Sequence, residues 1–255
     1  MAEERVATFV TARLGSSRLP RKALMMLRGR TVLARVLERA ALAAEPERVI
    51  LCTTEDSEDD ALVELATGMG VPAHRGSTDD ILERWLGATR EHGVDFFVAC
   101  DGDNVLCDPR HIEKVLERHR ETGAGYVSCT GLPLGVASLG IATAALELVC
   151  ELKTETETGG QGRFFQDESL VTRAEIEAAE EVRMPEARLT LDYPEDLELL
   201  DVVIGELERP GEPVELAEVV ALLRSRPDLV EINAGRAEEY WERFRRLYPP
   251  VELNR

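Results

Sequence analysis

The segment Arg13-Leu14-Gly15-Ser16-Ser17-Arg18-Leu19-Pro20-Arg21-Lys22-Ala23-Leu24 sets cations around a small, flexible turn. It directly follows the apolar run Val6–Val10, which reads as a buried strand. Gly15, Ser16 and Ser17 make a turn whose backbone N–H groups can share one concavity, and Arg13, Arg18 and Lys22 are spaced to surround it. Such an arrangement suits a chain of phosphates, because oriented N–H dipoles hold the oxygens while fixed positive charge neutralises them. The spacing is neither the Gly-x-x-x-x-Gly-Lys-Ser/Thr of a P-loop nor the Gly-x-Gly-x-x-Gly of a dinucleotide fold. An ordinary basic surface loop accounts for the same residue types.

Two acidic motifs lie further along. Asp101-Gly102-Asp103-Asn104 follows the apolar run Phe96–Cys100. Carboxylates on either side of a glycine can hold a divalent cation against phosphate oxygens, and hard oxygen ligands favour Mg²⁺ or Mn²⁺. An Asp-rich turn with a left-handed glycine explains the residues equally well. In Arg188-Leu189-Thr190-Leu191-Asp192-Tyr193-Pro194-Glu195-Asp196, the acids Glu195 and Asp196 fall in a first helical turn, where dipole and capping chemistry suffice. Asp192 precedes the cap, at the carboxyl end of a strand-like piece, and is placed to complete a metal site with Asp103.

The elements that must position these groups alternate. Strands are predicted at Val6–Val10, Val49–Thr53, Val71–His74, Phe96–Cys100 and Tyr126–Cys129, and helices at Thr31–Ala44, Asp59–Met69, Ile81–Glu91 and Arg110–Arg120. This alternation argues for an α/β fold with a mostly parallel sheet flanked by helices. In such sheets the ligand sits beyond the carboxyl ends of the strands, which puts the loops after Val10 and Cys100 on one edge. Beyond Thr130 the rhythm loosens. Strand-like pieces at Leu134–Ala142 and Arg188–Leu191 flank a helix near Thr143–Leu152 and a Gly-rich link, Gly159-Gly160-Gln161-Gly162. The last part is mainly helical, and without internal repeats the chain reads as one domain: a nucleotide-binding half (1–130), an acceptor lobe with the second metal ligand (131–200) and a C-terminal helical region (201–255).

Composition narrows the partners. The 255 residues include 30 Lys plus Arg against 49 Asp plus Glu, a net charge of −19. So acidic a chain is a poor partner for nucleic acid, whose binding depends on cationic neutralisation of phosphates. The N-terminal cation cluster therefore suits a small polyanion, while Arg243-Phe244-Arg245-Arg246 reads as a solvated face of a terminal helix. With no apolar run near about 18 residues and no basic-then-apolar leader, neither a membrane span nor a secretory signal is expected. Cys52, Cys100, Cys107, Cys129 and Cys150 are scattered and odd in number, as for free thiols in the cytoplasm.

Taken together, the motifs resemble the cytidylyltransferases that make CMP-activated acidic sugars, most closely the SpsF-like branch. Ala12 through Leu24 match its opening pattern, Ala-Arg-x-Gly-Ser-x-Arg-Leu-Pro-x-Lys-x-Leu, at every defined position. Thr53-Thr54-Glu55-Asp56, Arg75 to Leu82, Gly102 to Pro109 and Arg188 to Asp196 match its later motifs in order. The resemblance spans roughly residues 6–200 and implies a GT-A-like nucleotidyltransferase fold. It also implies that Arg13 and Lys22 bind a nucleoside triphosphate (CTP favoured), with Ala12, Gly15, Ser16 and Ser17 in contact and Arg18 adding a cation. Asp103 and Asp192 would bind Mg²⁺, with Asp101 beside them, and Thr53, Ser77, Asp79 and Asp80 would lie around base and ribose. For Asp79 and Asp80 a helix N-terminus, capped by Ser77 or Thr78, is the competing explanation. The implied reaction is attack of an acceptor oxygen on the α-phosphorus, with Arg13, Lys22 and Asp103 as the catalytic set and pyrophosphate leaving. The implied acceptor is a sugar acid or related small molecule of polysaccharide biosynthesis. The aromatic-bearing end Tyr240-Trp241-Glu242-Arg243-Phe244 could dock on the domain or on a second subunit, and the resemblance makes a homodimer plausible.

The chain also departs from the pattern. Ala99-Cys100-Asp101-Gly102-Asp103-Asn104-Val105 replaces the usual Arg-x-Thr-x-Asp-Cys-Pro, and Thr158 to Gln166 stands where Arg-Glu-His-Val-Thr is common. In that stretch Arg163 reads as either an acceptor clamp or a surface charge. Asp101-Gly102-Asp103 is also a literal Asp-x-Asp, the metal-binding signature of GT-A glycosyltransferases, and a non-catalytic nucleotide-binding module is a further alternative.

Overall fold

The computed structural model describes residues 4–44, 48–251 and 253–254. Three predicted strands form the centre of the sheet nearly as read: β1 (Val6–Thr11), β4 (Val49–Thr54) and β6 (Phe96–Asp101). Between β1 and β4 lie a short hairpin, β2 (Met26–Leu27) and β3 (Arg30–Thr31), and helix α1 (Val32–Ala40). Helix α2 (Asp60–Gly68), β5 (Ala73–Gly76) and α3 (Ile81–His92) follow β4, and α4 (Pro109–Thr122) follows β6. The rest of the chain adds β7 (Tyr126–Thr130), β8 (Leu139–Ala142), α5 (Thr143–Leu152), β9 (Arg173–Glu177), α6 (Pro194–Leu207), α7 (Leu216–Ser225) and α8 (Pro227–Leu247).

The seven-stranded sheet runs β5-β4-β1-β6-β8-β7-β9. Strands β5, β4, β1 and β6 are parallel, β8 is antiparallel to both β6 and β7, and β9 is parallel to β7. Alternation along the strands divides the core in two. Val49, Leu51, Phe96 and Val98 face one cluster, whereas Ile50, Cys52, Phe97 and Ala99 face the other. With both faces covered, these strands are continuous apolar runs.

Local chemistry explains where the boundaries moved. The fifth strand starts at Ala73 rather than Val71, because the Val71 amide closes the end of α2 on Ala66 O and Pro72 has no N–H to donate. Of the predicted Leu134–Ala142 strand only Leu139–Ala142 forms. Leu134 keeps an isolated bridge to Arg188, and Gly135 follows at φ +94°, where a Cβ would lie 2.6 Å from the Thr190 Cα. Arg188–Leu191 is correspondingly an extended crossing rather than a strand, hydrogen-bonded to Leu134 on one side and to the Asp103 carbonyl on the other. The β2–β3 hairpin turns on Arg28 and Gly29, both at positive φ, the geometry that a two-residue turn between twisted strands demands.

Two measurements test this packing. Gly140 lets α4 lie close on β8, since a Cβ there would come within 2.5 Å of Val115 Cγ1 and 2.6 Å of Phe96 Cζ. Gly140→Ala should therefore lower stability by about 1–3 kcal/mol in urea titration, the cost of overpacking. His111 in α4 is buried beside the Ser138 carbonyl, and burial pushes its imidazole down to about 4. The folded state thus resists a proton that the unfolded chain accepts near pH 6.5. Stability present above that pH should fall as pH drops toward 4, by up to about 3 kcal/mol, and His111→Gln should flatten this part of the profile.

Candidate active site

The cleft lies at the carboxyl edge of β1 and β6, where two loops are pressed together. The Gly102 amide donates to Thr11 O at 2.8 Å, and a Cβ on Gly102 would sit 2.6 Å from the Ala12 Cβ, so only glycine allows this approach. The loop after β1 is rooted by the buried Asp59 carboxylate, which accepts from the Leu14 amide at 2.8 Å and from the Thr53 and Thr54 hydroxyls. From there the chain turns through Leu14–Arg21, closed by Ser16 N to Leu14 O at 2.8 Å. Among the described residues the amides of Gly15, Ser17 and Arg18 have no protein acceptor, and a Cβ on Gly15 would meet nothing within 4 Å. The turn opens into a cavity of about 690 Å³.

Lys22 heads a short 3₁₀ turn after Arg21, which sits at φ +57°. Its ammonium donates to Asp103, to Asp192 Oδ1 at 2.8 Å and to Leu191 O at 2.8 Å. Burial opposes the lysine charge, but Asp103 and Asp192 outweigh it and raise Lys22 above its ordinary value. Arg18 donates to the same Asp192 oxygen at 2.5 Å. Burial also opposes ionisation of Asp192, yet Lys22, Arg18 and Arg188 together hold its carboxyl below the usual range. Asp101 keeps access to the cleft while protein closes round it. That enclosure, reinforced by the Asp103 charge and offset in part by Lys22, pushes it up to about 7.

Behind Asp192 stands a second layer of charge. Arg188, almost wholly buried, donates to Asp192 Oδ2 at 2.9 Å and forks onto Asp196 at 2.9 and 3.0 Å. Asp196 also accepts from the Asp192 and Tyr193 amides and from Asn233 Nδ2 of α8 at 2.8 Å. It thus combines the capping role read from the sequence with a buried ion pair.

The structure brings Ala12, Arg13, Gly15, Ser16, Ser17, Arg18, Lys22, Asp101, Asp103, Asp192 and Arg163 to one cavity. It does not bring Thr53, Ser77, Asp79 or Asp80 there. Thr53 is buried with its hydroxyl committed to Asp59. Asp80 itself caps α3, accepting from Glu83 N at 3.1 Å, and is bound by Lys153 and Thr158. Ser77 accepts from the Asp80 amide, and the exposed Asp79 lies 3.5 Å from Arg13, which also donates to Thr78 O. Arg163 directs its guanidinium to the carbonyls of Gly159, Pro249 and Glu157, tying the Gly-rich loop to the C-terminal tail.

Of the two placements open to the Tyr240–Phe244 end, the chain's own domain receives it, and what the sequence did not show is that α8 thereby walls the cleft. Tyr240, Phe244 and Tyr248 recur every fourth residue and line the cavity, and Arg243 joins them instead of facing solvent, whereas Arg245 and Arg246 are exposed as expected. The four-residue aromatic spacing was the available signal. Arg84, buried and donating to Ser77 O and Thr78 O, is a further lining residue.

Residues 7–203 match the cytidylyltransferase family, and the chain belongs to it: it is a nucleotidyltransferase by fold and lineage. The spore coat polysaccharide biosynthesis protein SpsF of Bacillus subtilis is 27% identical over 231 residues, covering 86% of this chain and 94% of that protein. Among solved structures, a cytidylyltransferase from Leptospira borgpetersenii superposes with a TM-score of 0.80 at 23% identity, covering 89% of this chain and 97% of that one. A CMP:2-keto-3-deoxy-manno-octonic acid synthetase complexed with CTP superposes at 0.59 and 17% identity, covering 80% of this chain and 99% of that one. The sheet expected from the motifs is therefore the family's fold.

The buried charge behind the cleft is directly testable. Asp196→Asn leaves the buried Arg188 with Asp192 as its one charged partner, already shared with Lys22 and Arg18, and should cost about 2–4 kcal/mol in denaturant titration.

Proposed function

We propose that this protein transfers CMP from CTP to a small acidic sugar, releasing pyrophosphate, in the biosynthesis of a polysaccharide or other cell-surface glycan. The observation that carries this reading is the Lys22 ammonium held between Asp103 and Asp192 beside a turn with unused amides. Family membership and the CTP-bound synthetase support the choice of nucleotide, the sugar acid in that synthetase's name supports the class of acceptor, and the SpsF relative supports polysaccharide biosynthesis.

In this reading the amides of Gly15, Ser17 and Arg18 bind phosphate oxygens, and Arg13 and Lys22 neutralise them. When the acceptor oxygen attacks the α-phosphorus, charge grows on the equatorial and bridging oxygens. Lys22, fixed by its carboxylate partners, meets that charge without reorganising. The chain's remaining task is alignment of the acceptor oxygen with the bond that breaks, so no strong general base is required.

The donor set also fits a divalent cation. Among the described residues no group of three or more His, Cys, Asp or Glu side chains forms a metal site alone. Asp103 and Asp192 nevertheless converge on one ammonium, and Asp101 beside them is raised by its enclosure and then by the Asp103 charge that Lys22 only partly offsets. Two carboxylates completed by substrate phosphates are what Mg²⁺ ordinarily uses. Bound there, Mg²⁺ would supply Lewis-acid stabilisation of phosphoryl oxygens.

Thermal-shift titration with CTP, UTP, ATP and GTP, each with and without Mg²⁺, tests the reading. CTP with Mg²⁺ should raise the melting temperature most, by mass action on the folded state. Equal, metal-independent responses to all four would count against it. With a turned-over acceptor in hand, Lys22→Ala should reduce kcat for pyrophosphate release by about a hundredfold or more. Unchanged turnover would remove Lys22 from the chemistry.

A further inference from the structure

The last helix lies outside the stretch that matches the family, yet it roofs the cleft. Over the cleft its aromatic contacts fall at two points. At one, the Tyr240 ring lies 4.7 Å from the Arg188 guanidinium carbon and 5.5 Å from that of Arg18. At the other, Phe244 and Tyr248 rest on the backbone of Gly159 and Gly160. A Cβ on Gly159 would reach within 2.5 Å of Tyr248 Cζ, and one on Gly160 within 3.0 Å of Phe244 Cζ. This accounts for the glycines in the Thr158–Gln166 stretch that departs from the SpsF-like pattern: they let the aromatic face of α8 sit directly on the chain.

Arg243 lies between these anchors. Three residues after Tyr240, it shares the cleft-facing side of the helix. Its one protein hydrogen bond among the described residues is from Nη2 to Ser17 Oγ at 3.2 Å, and no described carboxylate pairs with it. The three cations that the turn sends into the cavity differ. Arg18 and Lys22 are engaged with Asp192, and Arg13 lies 3.5 Å from Asp79. Arg243 is thus an unneutralised guanidinium held at the mouth of the phosphate-binding turn, with most of its donors unspent. A guanidinium fork matches the oxygens of a diphosphate.

We infer that Arg243 is a further nucleotide-binding residue, which holds the terminal phosphates of the nucleoside triphosphate and then the departing pyrophosphate. The inference rests on the reading that this turn binds a triphosphate. It assigns the end of the triphosphate away from the reacting phosphorus to the mouth of the turn beneath α8, with the α-phosphate inward near Lys22.

Calorimetric titration of the full chain with inorganic pyrophosphate and Mg²⁺ tests this apart from turnover. Arg243→Ala should weaken pyrophosphate binding by at least about tenfold, with Arg243→Lys recovering part of the loss as a point charge without the fork. Arg245→Ala, two residues on and roughly 200° round the helix, should bind within about twofold of the parent chain. Melting temperatures of the variants check that each is folded. Under turnover, Arg243→Ala should raise KM for CTP and leave KM for the acceptor unchanged. Wild-type pyrophosphate binding by a folded Arg243→Ala, or a loss confined to acceptor KM, overturns the inference while leaving the cytidylyltransferase reading standing. Arg243-dependent pyrophosphate binding by a chain that transfers no nucleotide would overturn that reading and leave Arg243 as a pyrophosphate-binding residue.

Discussion

Everything in the cleft depends on one contact between opposite charges: the Lys22 ammonium against Asp103 and Asp192. Lys22 comes from the loop after β1, Asp103 from the loop after β6, and Asp192 from the crossing that leads into α6. Only the finished sheet brings the three together. The contact is one end of a longer chain of alternating charge, Lys22–Asp192–Arg188–Asp196, with Arg18 at its side. Ions removed from water in this way are tolerated because each carboxylate has a cationic partner, and the most deeply buried, Asp196, accepts from backbone and amide donors besides. The benefit is position. In the proposed transfer, a lysine free to swing would stabilise the ground state and the transition state alike, whereas one pinned by two carboxylates would be set out in advance for charge that appears only during the reaction.

Much of this was legible in the chain itself, because the signals are local. β1, β4 and β6 read correctly since strands buried on both faces are unbroken apolar runs, and the phosphate turn and Asp101–Asp103 follow them directly. Gly102 could be noticed as a glycine between two acids, but the reason for it, the Ala12 side chain pressed against it, is tertiary. Thr53 and Asp80 show a related limit. Their types suit ligand contact, while the folded chain spends both on itself, one on Asp59 and the other on capping α3. Strand β9 went unread because its Arg-Ala-Glu-Ile-Glu pattern belongs to a half-exposed edge and is rich in charge.

The C-terminal helix marks the limit of such reading. Its Arg-Phe-Arg-Arg stretch has the composition of a solvated surface, and three of its four residues being charged conceals that Phe244 and Arg243 face the cleft. The decision lies in distant glycines, Gly159 and Gly160, whose missing side chains make room for Tyr248 and Phe244. A pattern within the helix and a gap elsewhere in the chain must be considered together, and neither is informative alone.

The bond from Asn233 to Asp196 bears on how the protein is made. Asp196 orients the Asp192 amide and the Arg188 fork, so the carboxylate facing Lys22 acquires its full support only after α8 has docked. During synthesis the turn after β1 emerges well before this brace. The sheet centre can condense early from β1, β4 and β6, but the charged chain behind the cleft must close across most of the polypeptide. A nascent chain would thus hold a folded sheet centre beside a cleft whose charges are still unbraced, and the cleft would gain its full support only once α8 has followed and docked.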